Sequence, residues 1–309
     1  MKIIFMGTPD FAVPCLEKLI EKNHEIVAVY TQPDKPVGRK QVLTQSHVKK
    51  CAIENNLSVY QPITLKNEDE IDIIKSFNAD VIVVVAYGKI LPLDILNASK
   101  YGAINVHASL LPKYRGAAPI QWSILNGDEI TGVTIQKMNE GIDTGDILYA
   151  EKTDIDPDET SAELFERLSQ IGADALVKVI DNIDYYIKNA VKQSEDCSSY
   201  ASKITKDLSP IDWTKSALEI HNQVRGLQTW PCALTGINGK SVKIHKTRLS
   251  NKVSNESGII VDNNDVLTVC CGDLKCIDIL ELQPYGKKRM STKAFLAGNK
   301  IDVGTIIGG

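Results

Sequence analysis

Val81-Ile-Val-Val-Val-Ala86 is apolar at every position and almost wholly β-branched. A strand with one wet face would alternate. A continuous run of this length reads as a strand buried on both faces, at the centre of a parallel sheet covered by helices. Working outward, Lys2 to Met6 is a first apolar strand, Gly7-Thr8-Pro9-Asp10 turns into a helix through about Asn23, and His24 to Tyr30 is a second strand. Gln32 to Ser46 reads as a polar loop, and His47 to Asn56 as a helix. Downstream, Gly102 to Ala108 and Thr131 to Met138 are further strands. Alternation of strand and helix patterns implies an α/β fold with a parallel sheet. Thr160-Ser-Ala-Glu163 is a capping box, and Leu164, Leu168, Ile171 and Ala175 then recur at helical spacing.

The pattern changes after about residue 190. Lys192 to Pro210 is polar and serine-rich, without periodicity, and reads as a linker. Trp213, Ala217, Ile220, Val224 and Leu227 mark one face of a short helix. Asn238-Gly239 is a hairpin signal. Gly258 to Val261, Val266 to Cys271 and Cys276 to Leu282 are short strands, which fits a small barrel of the oligonucleotide-binding (OB) type. The expected organisation is an α/β domain over 1–190, a linker over 191–209 and an OB-like β-barrel domain over 210–309.

Composition narrows the class. The 309 residues are 43% hydrophobic and 24% charged, as in a folded protein. No apolar run approaches the ~20 residues that span a bilayer, and the N-terminus lacks a signal-peptide pattern. A cytoplasmic location without membrane contact is expected. Seven cysteines without a Cys-x-x-Cys pair, and five scattered histidines, suggest reduced buried thiols and no metal site. The net charge of −4 is uneven. Residues 209–309 hold 13 Lys and Arg against 9 Asp and Glu, which is compatible with an anionic partner. The first turn, Gly7-Thr-Pro-Asp-Phe-Ala12, lacks the later glycines of the dinucleotide fingerprint, which disfavours NAD or FAD.

The chemistry concentrates between Asn105 and Asp146. Asn105 and His107 lie two apart in a strand, so their side chains leave the same face. A dense loop follows, Ser109-Leu-Leu-Pro-Lys-Tyr-Arg-Gly-Ala-Ala-Pro119. Loops beyond the carboxyl ends of parallel strands are where α/β folds bind ligands. A second loop, Asn139-Glu-Gly-Ile-Asp-Thr-Gly-Asp146, sets Asp143 between glycines. Acyl transfer between nitrogens passes through a tetrahedral intermediate with a developing oxyanion. An amide such as Asn105 donates to that oxygen. The imidazole of His107 donates or moves a proton near neutral pH. A carboxylate such as Asp143 orients the imidazole or accepts the proton of the attacking amine. No side-chain nucleophile is required, and Ser109 lacks the nucleophile-elbow context.

These residues carry a resemblance. Asn105-Val-His107-Ala-Ser-Leu-Leu-Pro112, with Arg115-Gly-Ala-Ala-Pro-Ile-Gln121 and Gly141-Ile-Asp143-Thr-Gly-Asp146, closely resembles the formyltransferases that use 10-formyltetrahydrofolate as donor. The resemblance implies a Rossmann-like formyltransferase domain, a catalytic trio of Asn105, His107 and Asp143, and a folate-binding loop of Ser109, Leu110, Leu111 and Pro112. Similarity continues through Met6-Gly-Thr-Pro-Asp-Phe11, Thr31-Gln-Pro-Asp-Lys-Pro-Val-Gly-Arg39, Ala86-Tyr-Gly-Lys-Ile-Leu-Pro92, Ile211-Asp-Trp213, Ile220-His-Asn-Gln-Val-Arg-Gly-Leu227 and Trp230-Pro231. It points to initiator methionyl-tRNA as the acceptor; for the oligomeric state, which the sequence leaves open, a monomer is the simplest expectation. Lys35, Arg39 and Lys40 form a basic loop suited to acceptor-stem phosphates, and Lys243, Lys246, Arg248 and Lys287-Lys-Arg289 extend the positive charge. Departures from the pattern are Tyr114 for Trp, Trp122 for a polar or basic residue, Cys232 for Gly, and Gln41-Val-Leu-Thr-Gln45 where extra basic residues are common. A sugar-nucleotide formyltransferase or a formyl-folate hydrolase shares the trio but leaves the basic loop and the barrel without a purpose. A nucleotide-binding oxidoreductase lacks its glycines here, and a non-catalytic RNA-binding protein has no use for the trio.

Overall fold

Gly7 closes the first strand because nothing larger fits. A Cβ there would lie 2.8 Å from the Phe5 ring and 2.9 Å from Ala12 Cβ. The chain passes at once through a short 3₁₀ turn, Asp10–Ala12, into the first helix. The computed structural model describes residues 1–38 and 41–308. It divides into two compact units: Met1–Gly116, Thr131–Thr153 and Phe165–Tyr200 form one, and Ala117–Ile130, Asp154–Leu164 and Ala201–Gly309 the other.

The first unit is built on a seven-stranded sheet. Its strands are β1 (Lys2–Gly7), β2 (Glu25–Tyr30), β3 (Val59–Tyr60), β4 (Val81–Val85), β5 (Ala103–His107), β6 (Ile130–Lys137) and β7 (Asp146–Asp154). They lie in the order β7-β6-β5-β4-β1-β2-β3. β1 pairs parallel with β2 and β4, β2 with β3, and β4 with β5. The chain thus winds outward from β1 in one direction and then returns to its other side. That reversal is the crevice where open α/β sheets take ligands. The intervening helices are α1 (Val13–Glu21), α2 (His47–Glu54), α3 (Glu68–Ser76) and α4 (Leu93–Leu96). β4 is buried at all five positions, as a strand covered on both faces requires.

Two expectations are modified. The sheet is mixed, because β6 runs antiparallel to β5. The polar stretch 32–46 is not all loop. Lys35–Val37 and Val42–Thr44 pair antiparallel as a small exposed hairpin. Its foot is pinned by Lys49, whose ammonium donates to both Asp34 oxygens at 3.0 and 2.8 Å and to Gln61 Oε1 at 2.7 Å. The Lys49 and Gln61 donors hold the Asp34 carboxyl below its ordinary range.

α5 (Pro119–Leu125), α6 (Ser161–Asp181) and α7 (Ile183–Lys188) follow in chain order. The expected capping box opens α6, with Thr160 N–H donating to Glu163 Oε2 at 2.9 Å and Glu163 N–H to Thr160 Oγ1 at 3.3 Å. In the second unit α8 (Ala217–Gly226) carries another box, from Ser216 and Glu219. It buries the predicted face of Ala217, Ile220 and Val224. Trp213 precedes the helix, buried, with its indole donating to Thr235 Oγ1 at 2.9 Å.

The β part of this unit comprises β8 (Ala233–Ile237), β9 (Lys240–Val253), β10 (Ile260–Asp262), β11 (Leu267–Cys270), β12 (Lys275–Pro284) and β13 (Met290–Ser291), with α9 (Thr292–Gly298) behind them. The order is β8-β9-β12-β11-β10, with β13 on β12 and every pair antiparallel. Asn238 and Gly239 both have positive φ, 49° and 71°, the requirement of the tight turn that joins β8 to β9. Among the described residues, no helix is long and apolar enough to cross a membrane, and no group of His, Cys, Asp or Glu is arranged to hold a metal ion.

Six of the seven cysteines are buried and Cys197 is exposed. Burial pushes Cys15 and Cys271 up to about 12 and Cys51 and Cys276 up to about 11. A raised thiol pKa leaves little reactive thiolate near neutral pH. Maleimide labelling of native protein at neutral pH should therefore modify Cys197 rapidly and the others only after denaturation. Rapid native labelling at any second position, located by mass spectrometry, would contradict this packing.

Candidate active site

β5 ends in Asn105-Val106-His107, and its neighbours are fixed by register. Asn105 faces Val84 on β4 and Gln136 on β6, while His107 faces Thr134. Strand alternation therefore collects four polar side chains, Asn105, His107, Thr134 and Gln136, on one face of two adjacent strands. Thr134 and Gln136 are almost fully buried. Buried polar groups need partners, and theirs organise the site.

Thr134 ties the candidate folate loop to the sheet. Its hydroxyl donates to Ser109 O at 2.7 Å and accepts from Leu111 N–H at 3.0 Å. Ser109 Oγ is spent within the loop, donating to Lys113 O at 2.6 Å. Ser109 and Leu111 are buried, whereas Leu110 and Pro112 are half-buried. Leu110 also packs over Gly132, where an added Cβ would lie 2.6 Å from Leu110 Cδ2 and 2.0 Å from Glu151 O. The loop is thus shaped by glycine close approach as well as by hydrogen bonds.

Asp143 is held in the left-handed region, at φ 53°. Its carboxylate accepts from Gln136 Nε2 at 2.9 Å on one oxygen and from Gly116 N–H at 2.9 Å on the other. His107 Nδ1 stands 3.6 Å from the first oxygen. The other ring nitrogen, Nε2, lies 2.9 Å from the Tyr114 carbonyl. A carbonyl only accepts, so Nε2 carries a proton and Nδ1 is the nitrogen left to gain or lose one. His107 is buried, and Asp143 is largely so.

The structure therefore brings Asn105, His107 and Asp143 to one place, with Gln136 linking the Asn105 register position to Asp143. The arrangement contains an amide donor, an imidazole with one nitrogen committed and one free, and a carboxylate beside that free nitrogen. Such a set stabilises an oxyanion and handles a proton without a side-chain nucleophile.

Lys35 lies exposed on the small hairpin, opposite Thr44. Arg39 and Lys40, the other two candidate basic residues, lie outside the described residues. Sequence reasoning missed Gln136 and Gln193. Gln136 had a legible signal, since it and Thr134 are polar residues two apart that alternate with the apolar Val133 and Ile135. Gln193 had none, because it sits in the serine-rich stretch read as a linker.

A formyl transferase family model matches residues 1–180, and a model of the formyl transferase C-terminal domain matches residues 203–300. The chain belongs to the formyl transferase family. Two relatives align over the full length of both chains. They are methionyl-tRNA formyltransferases of Alkaliphilus oremlandii, 47% identical over 310 residues, and of Clostridioides difficile, 48% identical over 310 residues. Among solved structures, a sugar 3N-formyl transferase crystallised with dTDP and 5-N-formyl-THF is 26% identical with a TM-score of 0.67, covering 93% of this chain and 99% of that one.

Removing one preorganised oxyanion donor typically costs about 10²–10³ in kcat. Asn105→Ala should fall in that range, and His107→Ala and Asp143→Ala should each abolish most turnover, with thermal unfolding little changed. Near-wild-type rates for the latter two would remove the pair from the chemistry.

Proposed function

We propose that this protein transfers the formyl group of 10-formyltetrahydrofolate to the free amino group of the methionyl moiety of initiator methionyl-tRNA. The product is N-formylmethionyl-tRNA for translation initiation. The observation that carries this reading is identity of 47–48% over the full length of proteins that act on methionyl-tRNA, against 26% for the sugar enzyme of related fold.

In this reading the amine attacks the formyl carbon directly. A C–N bond forms, the carbonyl oxygen becomes an oxyanion, and collapse of the tetrahedral intermediate breaks the bond to the folate nitrogen. Asn105 donates its amide N–H to the oxyanion. The proton released by the amine is taken up at the edge shared by His107 Nδ1 and Asp143, and the departing folate nitrogen is protonated in turn. The Ser109-Leu110-Leu111-Pro112 loop holds the folate. Thr134 gives that loop a fixed height above the sheet, which favours a preorganised site.

The tRNA is held by charge. Lys35, Arg39 and Lys40 bind the phosphates of the acceptor stem, and the foot made by Asp34, Lys49 and Gln61 keeps the hairpin that carries Lys35 from swinging. Residues 1–190 carry the chemistry, 191–209 join the parts, and the OB-like 210–309 domain adds the basic surface of Lys243, Lys246, Arg248 and Lys287 to Arg289. The protein acts as a monomer in the cytoplasm, without membrane contact and without a metal.

Purified enzyme with 10-formyltetrahydrofolate should formylate initiator Met-tRNA, and should leave a nucleotide-linked amino sugar and water essentially unformylated. Activity confined to the sugar nucleotide or to water would overturn the assignment. Arg39→Ala should raise KM for tRNA more than KM for the folate. Equal effects on both would argue against a tRNA-specific loop.

A further inference from the structure

We propose that Gln193 is a positioning residue that sets Asp143, acting from a stretch of chain fifty residues downstream. Its side-chain amide bridges the two ends of the Asp143 turn, with Nε2 donating to Asp143 O at 2.8 Å and to Gly145 O at 2.7 Å. Its Oε1 accepts from Arg115 Nε at 3.0 Å. Arg115 is itself buried and forked, its two terminal nitrogens donating to the two Glu195 oxygens at 2.9 Å each. Three of the four hydrogen-bonding valences of the Gln193 amide are used, and none of them by its own neighbours in sequence.

The geometry converges on Asp143 from two directions. Gly116, next to Arg115, donates its N–H to the Asp143 carboxylate at 2.9 Å. Arg115 thus anchors both the residue that holds the carboxylate and the glutamine that holds the backbone. Gln193 is delivered by a backbone bridge just before it, in which Ile147 N–H donates to Val191 O at 2.8 Å and Val191 N–H to Ile147 O at 2.9 Å. Asp143 needs such a clamp. It is a non-glycine residue at φ 53°, a conformation that relaxes readily once its carbonyl is released. The turn is also tight on its far side, since a Cβ on Gly145 would sit 1.8 Å from Lys137 O. Release of the clamp therefore tilts the carboxylate away from His107 Nδ1 while leaving the folate loop, which Thr134 holds, in place.

This rests on the reading of Asp143 as part of the catalytic trio. Gln193→Ala and the isosteric Gln193→Glu both remove the donor, and the second keeps the volume. Each should lower kcat about 10- to 100-fold, the effect of misplacing a catalytic group by about 1 Å. KM for tRNA and for folate should stay within about twofold, as expected for an effect confined to the reacting groups. In single-turnover assays, adding Gln193→Ala to Asp143→Ala should cost less than threefold beyond Asp143→Ala alone, because Gln193 acts through that residue. Full additivity in this cycle, a loss expressed mainly in KM, or near-wild-type kcat for Gln193→Glu would overturn the proposal. If Gln193→Ala fails to fold, Gln193→Glu decides alone. A near-wild-type Asp143→Ala would instead overturn the trio, and the positioning role with it. An inactive Asp143→Ala beside fully active Gln193 variants would overturn only the positioning role.

Discussion

The antiparallel register between β5 and β6 is the constraint on which the site depends. It sets Gln136 opposite Asn105 and Thr134 opposite His107. A shift of one residue would turn Thr134 and Gln136 to the face opposite Asn105 and His107, because the side-chain period of a strand is two. From this pairing the rest follows in sequence. Thr134 fixes the 109–113 loop, Gln136 fixes the carboxylate of Asp143, and that carboxylate stands beside the one ring nitrogen of His107 that the Tyr114 carbonyl leaves uncommitted. β6 is also the strand that breaks the parallel pattern. An antiparallel partner brings the loop after its C-terminal end to the opposite end of the sheet from the parallel strands' loops, and the Asp143 turn is tied in place by bonds from Gln136, Gln193 and the Gly116 N–H.

The parts of this protein that were legible in the sequence are those where one residue's chemistry suffices. Val81 to Val85 is apolar at every position and is a central strand buried at every position. Thr160 with Glu163, and Asn238 with Gly239, formed the cap and the turn their types dictate. Asn105 and His107 shared a face because the period of a strand requires it. What was not legible depended on pairing across distance. Nothing in 130–137 says that it runs against β5. Nothing in the polar 32–46 stretch says that Lys35–Val37 finds Val42–Thr44, and the residues of these two strands are exposed except Thr44, so no hydrophobic pattern marks them. Gln193 is the extreme case, since a serine-rich segment without periodicity carries no signal that one side chain in it closes a turn fifty residues away.

Two departures from the family pattern acquire a physical meaning. Cys232 stands where glycine is common, and its φ is 69°, a region that glycine enters without steric cost and cysteine does not. The residue is buried, with its thiol donating to Thr229 O at 3.0 Å, so local packing and a hydrogen bond offset the conformational cost. Tyr114 stands where tryptophan is expected, also at positive φ, 60°. Its contribution to the site is made by its backbone, since its carbonyl receives the His107 Nε2 proton and its N–H donates to Ser199 Oγ at 2.9 Å. A role played by the main chain tolerates a change of aromatic side chain so long as the ring still fills the same space.

In the proposed mechanism, the way His107 is held also explains why the trio has three members. With Nε2–H committed to a carbonyl, the imidazole has a fixed orientation and a fixed tautomer before any substrate arrives. It cannot rotate to serve both as oxyanion donor and as proton carrier. In the proposed mechanism oxyanion stabilisation falls to a separate group two residues earlier on the same strand, Asn105, whose amide donor stays neutral through the cycle. In that mechanism, the negative neighbour that faces Nδ1 is Asp143, 3.6 Å away. Asp143 can be that neighbour only while its turn holds an unfavourable backbone conformation. The division of labour among three side chains is thus a consequence of one backbone carbonyl, and it moves the burden of precision onto the Asp143 turn and the side chains that close it.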